Sequence, residues 1–341
     1  GKGRGFTGIN PLVGALVVKK GRIIGRGYHA RFGGPHAEAI ALERAGESAH
    51  GATLYVTLEP CSTYGKTPPC TDRIIASGIR QVVVGSYDPN PRHNQRGVRL
   101  LRRRGVTVSV GLLRSTVMRQ NEGFFSVMRR GRPYVTLKVA QSIDGKIATS
   151  RGDSRWISNA AARRWVHQLR STVDAIVIGK NTVRIDNPWL TVRTRGIKRQ
   201  PARIVLDTHG ELSLKKNVFK NSHQERVLVV TSRSLMLRKK RQYAKRKISL
   251  ITVPYTKNKL DIAVLLKQLP SQGIAHLLLE GGGEVAASFI EQRLVDRIYV
   301  VMAPLLIGGR TARTSLEGSG VQHIKNAFHI RALSCKPIGD N

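Results

Sequence analysis
The pattern that most restricts this chain is His36-Ala37-Glu38, followed at a distance by Pro60-Cys61 and Pro69-Cys70. One imidazole and two thiolates form a three-ligand set for Zn²⁺ that leaves a fourth position for water, as a catalytic zinc requires. Alone, His36 reads as a surface histidine and each cysteine as a small core residue. Jointly, with a proline before each cysteine, they demand a fold that brings the start of one helix and the turn before another to a single point. Glu38 follows the histidine by two residues and is not needed as a ligand. It is the candidate to take a proton from a water at the fourth position and hand it to a ring nitrogen and a leaving amine.

The spacing of apolar residues supplies such a fold. Gly14 to Val18 and Arg22 to Gly27 read as a hairpin around a Lys-Lys-Gly turn. Ala37, Ile40, Ala41 and Leu42, interleaved with Glu38 and Glu43, give His36 to Gly46 helical spacing. Thr53 to Leu58 alternates as a strand, and Thr71 to Ser77 reads as a helix. Gln81 to Gly85 is a buried strand that ends at Asp88-Pro89-Asn90-Pro91; Arg96 to Arg104 and Val106 to Val110 read as helix and strand. Alternating strand and helix predicts a layered α/β domain.

With 341 residues, 40% of them apolar, the chain has room for two domains. No apolar run approaches the roughly 20 residues that cross a bilayer, and Gly1 to Gly8 holds no apolar core of a secretory signal. Three cysteines form no disulfide framework and point to a reducing, cytoplasmic compartment. Because the chain starts without Met, a removed organelle-targeting segment is compatible with it. The charge, 58 Lys+Arg against 21 Asp+Glu for a net +37, admits nucleic acid, an anionic membrane surface or anionic small substrates as partners. The excess is spread at similar density on both sides of Gly131, with only short runs at Arg102 to Arg104 and Arg238 to Arg241. That distribution reads as chain-wide composition rather than a nucleic-acid face.

His-x-Glu followed by two proline-preceded cysteines is the logic of zinc deaminases. Most nucleic-acid deaminases have two residues between the cysteines, whereas Ser62 to Pro69 place eight here. The stretch Leu58-Glu59-Pro60-Cys61-Ser62-Thr63-Tyr64-Gly65-Lys66-Thr67-Pro68-Pro69-Cys70 resembles the signature of the riboflavin-pathway deaminases. Asn10-Pro11-Leu12-Val13-Gly14, Gly27-Tyr28-His29, Gly33-Gly34-Pro35-His36-Ala37-Glu38 and Asp88-Pro89-Asn90 are similar to the same family. The resemblance implies a cytidine-deaminase-like three-layer domain in which Asn10, His29, Lys66, Asp88 and Asn90 hold a pyrimidine and its anionic phosphoribosyl tail. Three positions depart from the family: Thr63 stands where it usually has His, and Gly8-Ile9 where it usually has Ser-Pro. Thr63 offers a hydrogen bond but no imidazole.

After Gly111 the pattern changes, and Asn121 through Pro133 is polar, basic and punctuated, like the junction between the two domains of that family. The expected division is 1–131 and 132–341. The second part opens with a strand, Tyr134 to Ala140, followed by a helix at Ala160 to Arg170 and a strand at Ala175 to Ile178. Further on, the strand Leu277 to Glu280 runs through Gly281, Gly282 and Gly283 into a helix at Val285 to Gln292. Three glycines there let backbone approach a phosphate at a helix N-terminus, or simply make a tight turn. No Gly-x-Gly-x-x-Gly follows the first strand, so a Rossmann domain is not indicated.

This half resembles the family's reductase domain, which implies a dihydrofolate-reductase-like α/β fold that uses NADPH. The resemblance assigns Lys138, Ser154, Trp156, Arg170, Asp186 and Arg193 to the ribose-phosphate or nicotinamide, and Thr182 and Glu280, with Gly281, Gly282 and Gly283, to the cofactor side. Arg170 and Arg193 suit a phosphate, Trp156 has a core role as its alternative, and Lys138 and Asp186 are candidates for polarisation and proton transfer or for holding ribose hydroxyls. The whole implies a bifunctional enzyme of riboflavin biosynthesis, zinc-dependent in its first half and NADPH-dependent in its second. Its expected partners are a small phosphoribosyl pyrimidine and further copies of the chain, with no specific nucleic acid and no membrane. A nucleic-acid deaminase and a one-activity relic with a basic surface are the competing readings.

Overall fold
The Thr53–Leu58 run, apolar on alternate residues, forms a strand at the centre of a layered sheet. The computed structural model describes residues 3–65, 67–194, 196, 199–256 and 258–340, with 233–238 in backbone only. The chain divides into two units, Gly1–Pro133 and Tyr134–Asn341.

In the first unit, β1 (Gly14–Lys19), β2 (Arg22–Tyr28), β3 (Thr53–Leu58), β4 (Gln81–Ser86) and β5 (Thr107–Val110) pair in the order β2-β1-β3-β4-β5. β1 is antiparallel to both neighbours, while β3, β4 and β5 run parallel. Helices α1 (Ala37–Ala45), α2 (Cys70–Ala76) and α3 (Arg96–Arg103) bury Ala41, Leu42, Ile74, Val98 and Leu101 against Val17, Leu54, Val56, Val82 and Val84. Gly85 points to the other face of β4, where a Cβ would come 2.8 Å from Val117 Cγ2. Val117 belongs to α4 (Arg114–Gln120), so helices cover both faces.

The basic stretch after Asn121 is helical up to Arg130. It folds as α5 (Glu122–Arg130), whose Phe124 and Phe125 are buried with Leu58 while Arg129 and Arg130 face solvent. Asn121 ties it to the start of the unit, accepting from Leu12 N at 2.7 Å.

Two glycines set the height of α1 over the sheet. A Cβ on Gly25 would overlap the Ala41 carbonyl oxygen, and one on Gly27 that of Ala37. Only glycine at both lets this helix, with His36 at its N-cap and Glu38 in its first turn, lie directly on β2.

In the second unit the strands are β6 (Tyr134–Ser142), β7 (Ala175–Gly179), β8 (Ala202–Leu206), β9 (Val227–Ser232), β10 (Ser249–Val253), a small pair β11 (Tyr255–Thr256) and β12 (Lys259–Leu260), then β13 (His276–Glu280) and β14 (Arg297–Ala303). Seven of them form one sheet, β10-β9-β8-β7-β13-β6-β14, parallel at every junction. Alternate residues feed two cores. Val135, Leu137, Val177, Ile204, Leu228 and Leu279 share one with Leu265 and Phe289, and Ile176, Ile178, Val205, Val229 and Leu278 share the other with Val183 and Phe219.

The connecting helices are α6 (Ala160–Arg170), α7 (Lys180–Asp186), α8 (Arg233–Ala244), α9 (Ile262–Gln268) and α10 (Gly283–Glu291). Burial on both faces explains the near-continuous apolar runs of β7, β8 and β9. Parallel pairing also gathers the strands' carboxyl ends along one edge, where open α/β sheets bind ligands. No helix among the described residues is long and apolar enough to cross a membrane.

Candidate active sites
The fold brings His36, Cys61 and Cys70 together: one donor atom from each lies within 4.8 Å of the others. His36 Nδ1 is 3.2 Å from Cys70 Sγ and 3.5 Å from Cys61 Sγ. Cys70 opens α2, and its backbone N–H donates to Cys61 Sγ at 3.3 Å, while Thr71 N donates to the Cys61 carbonyl at 3.1 Å. The contact with Cys70 holds the Cys61 thiol down at about 4 and pushes Cys70 up. Two sulfurs and an imidazole converging on one point are the donor set that zinc prefers. The spacing fits a tetrahedral ion, for which bonds of about 2.3 Å to sulfur and about 2.0–2.1 Å to nitrogen need N···S separations near 3.6 Å.

Glu38 is 4% exposed, and burial pushes its carboxyl up to about 7. His29, also buried, sits edge-on to His36 with ring centroids 5.6 Å apart. Its Nδ1 bonds the Pro35 carbonyl at 3.1 Å, and burial lowers its pKa. Burial lifts Asp88 to about 6, and Asp88 accepts from Asn90 N at 2.8 Å. Asn90 in turn caps Arg92 N at 3.0 Å. Asn10 is half-buried in a turn closed on Thr7, and Lys66 lies outside the described residues.

Glu59, which no motif singles out, completes the surroundings of the cysteine turn. Its buried carboxylate accepts from Asp88 N, Gln95 N and Val98 N at 3.2, 2.9 and 3.1 Å. It thereby fastens the Asp88–Asn90 loop and the start of α3 beside the cysteine turn. An acidic residue at a buried strand end was its signal.

In the second unit Lys138 and Glu280 are register partners on β6 and β13. Burial lowers the Lys138 pKa. Burial alone would raise Glu280, but Arg170 holds it below the ordinary carboxylate range, donating from Nε and Nη2 to both carboxylate oxygens at 2.7 Å. The bidentate fork expected to meet a phosphate therefore faces an internal carboxylate, with Arg170 Nη1 3.4 Å from the Thr191 carbonyl. Arg193 is exposed and contacts His167. His167, likewise singled out by no motif, stands one helical turn before Arg170 on α6.

Asp186 ends α7, and Ser154 Oγ donates to its Oδ1 at 3.5 Å. Trp156 is 70% exposed beneath Arg163, 4.5 Å above its ring, which excludes a core role. Of the three glycines, Gly281 (φ +155°) would carry a Cβ 3.3 Å from Thr182 Oγ1, and Gly283 one that meets Thr314 O at 2.5 Å. Gly282, the N-cap of α10, has open space around it.

A family model for the cytidine and deoxycytidylate deaminase zinc-binding region matches residues 2–86, and one for the RibD C-terminal domain matches residues 133–341. Over 340 residues the chain is 42% identical to the riboflavin biosynthesis protein RibD of Aquifex aeolicus, covering 100% of this chain and 93% of that one. The chain belongs to the RibD family. Acinetobacter baumannii RibD, form 1, is similar with a TM-score of 0.87 at 34% identity, over 99% of this chain and 92% of that chain. The diaminohydroxyphosphoribosylaminopyrimidine deaminase/5-amino-6-(5-phosphoribosylamino)uracil reductase of Thermotoga maritima gives 0.81 at 39% identity, over 93% and 87%. As a RibD-family member the chain is a bifunctional deaminase and reductase of riboflavin biosynthesis, with zinc in the first activity and NADPH in the second.

Proposed function
We propose that the first unit hydrolytically deaminates 2,5-diamino-6-(5-phosphoribosylamino)pyrimidin-4-one and the second reduces the ribosyl group of the product to ribityl. The convergence of His36, Cys61 and Cys70 beside the buried Glu38 carries the reading. Zinc held by those three residues supplies a nucleophilic water at neutral pH, and NADPH supplies a hydride. Glu38 moves protons from the water to the ring nitrogen next to C2 and to the amine that leaves as ammonia. Asn10, His29, Lys66, Asp88 and Asn90 hold the pyrimidine and its tail.

Bound NADPH would supply the hydride that reduces C1′ of the ribosyl group in its ring-opened imine form, whose nitrogen takes up a proton. Lys138, desolvated at the strand ends, polarises that carbon's neighbourhood, and Asp186 with Ser154 holds or protonates the ribose oxygens. Arg193 meets the phosphate, and Arg170 orients Glu280. Trp156, Thr182, Glu280 and the Gly281, Gly282 and Gly283 turn line the cofactor side, where the N-terminus of α10 attracts an anion.

We further infer a homo-oligomer working in the cytoplasm without a specific nucleic-acid partner. Ile298, Val300 and Met302 form an exposed apolar row on the edge strand β14, a surface suited to a second copy, and the three cysteines are free thiols. Sedimentation should find a species larger than one chain; a monomer at assay concentration would contradict this. For the reaction itself, the purified chain given the aminopyrimidine phosphate and NADPH should release one ammonia and oxidise one NADPH per substrate. Deamination of tRNA instead would favour the nucleic-acid reading, and ammonia without NADPH oxidation would favour a relic.

A further inference from the structure
His93 lies half-buried in the turn after Asp88-Pro89-Asn90-Pro91. Its N–H donates to the Asn90 carbonyl at 2.9 Å, and its carbonyl accepts from Arg96 N at 2.8 Å. Glu59 clamps both ends of this turn through Asp88 N and Gln95 N. The ring is aimed rather than loose: its Nδ1 is 3.3 Å from Thr63 Oγ1, two residues beyond the ligand Cys61. The same turn carries Asp88, whose Oδ1 accepts from Asn90 N at 2.8 Å. With Nδ1 engaged by Thr63, Nε2 is the ring nitrogen left to meet a ligand.

Thr63 occupies the position where the family usually has His, and its hydroxyl cannot replace an imidazole. We propose that His93 is a specificity-determining residue of the deaminase, whose imidazole, aimed by Thr63, binds the phosphoribosyl part of the substrate and supplies from a second loop the group usually carried at position 63. An imidazole N–H donated to an anionic oxygen is a charge-assisted bond, and a loop pinned by Glu59 delivers it with little loss of freedom. The inference rests on the deaminase reading above.

The test is steady-state deamination by the full, zinc-loaded chain. His93→Ala should raise KM at least about tenfold, the loss of one hydrogen bond to a charged group, with kcat, zinc content and melting temperature close to wild type. Adding Thr63→His in that background should return KM most of the way, since the imidazole then comes from the other loop. An unchanged KM in His93→Ala, or a raised KM that Thr63→His does not recover, overturns the proposal. So does a fall in kcat together with zinc loss in both His93→Ala and His93→Gln, which marks a structural role. Absence of ammonia release by the wild-type chain would instead remove the deaminase reading itself, and the inference with it.

Discussion
Glu38→Gln will keep its zinc yet deaminate at least about 100-fold more slowly, the lower range for a lost general acid/base. The amide matches the carboxylate in size, so the buried first turn of α1 keeps its packing against β2. What it loses is the capacity to accept and return a proton. Zinc analysis and ammonia release measured on the same preparation check both halves of this expectation, and NADPH oxidation on pre-deaminated substrate should be unaffected. Near-normal turnover would remove Glu38 from the proton path.

Cys61→Ser should have the larger effect on the metal. A serine hydroxyl stays protonated at neutral pH and is a poor zinc ligand, which leaves His36 and Cys70 to hold the ion alone. Losing an outer-shell partner of a metal ligand typically costs 10–100-fold in affinity, and removing a ligand should exceed about 100-fold. Zinc should fall from one per chain to near zero and deamination to background, while the second unit, with its own cores, continues to oxidise NADPH on pre-deaminated substrate. Full zinc retention in this variant would show that the metal is held elsewhere.

The zinc triad was legible because its chemistry is written in residue types and short spacings, and β3 and α6 fall where apolar periodicity puts them. The strands β8, β9 and β10 were not picked out. β8 and β9 are buried on both faces and show no alternation by which a strand is distinguished from other apolar runs, and β10 is a short edge strand. α5 was hidden by its arginines, since the Phe124 and Phe125 face is only visible once Leu58 is placed against it. The pairing of Arg170 with Glu280, 110 residues apart, is a tertiary event. Read separately, each looked available to a ligand. Glu59 and His93 are the same kind of case: their partners lie on a loop about 30 residues away, and no local pattern announces them.

That two separate sites in one chain perform successive chemistry is tested most directly by following ammonia and NADP⁺ together in Asp186→Asn. Asp186 stands at the end of α7 with Ser154 beside it, in the unit that holds none of the zinc ligands. An amide there cannot pass a proton. NADPH oxidation should fall at least about 100-fold while ammonia release continues near the wild-type rate, so that the deaminated intermediate accumulates. Collapse of ammonia release together with hydride transfer, in a variant that is folded and zinc-loaded, would contradict two sites and require a single composite one.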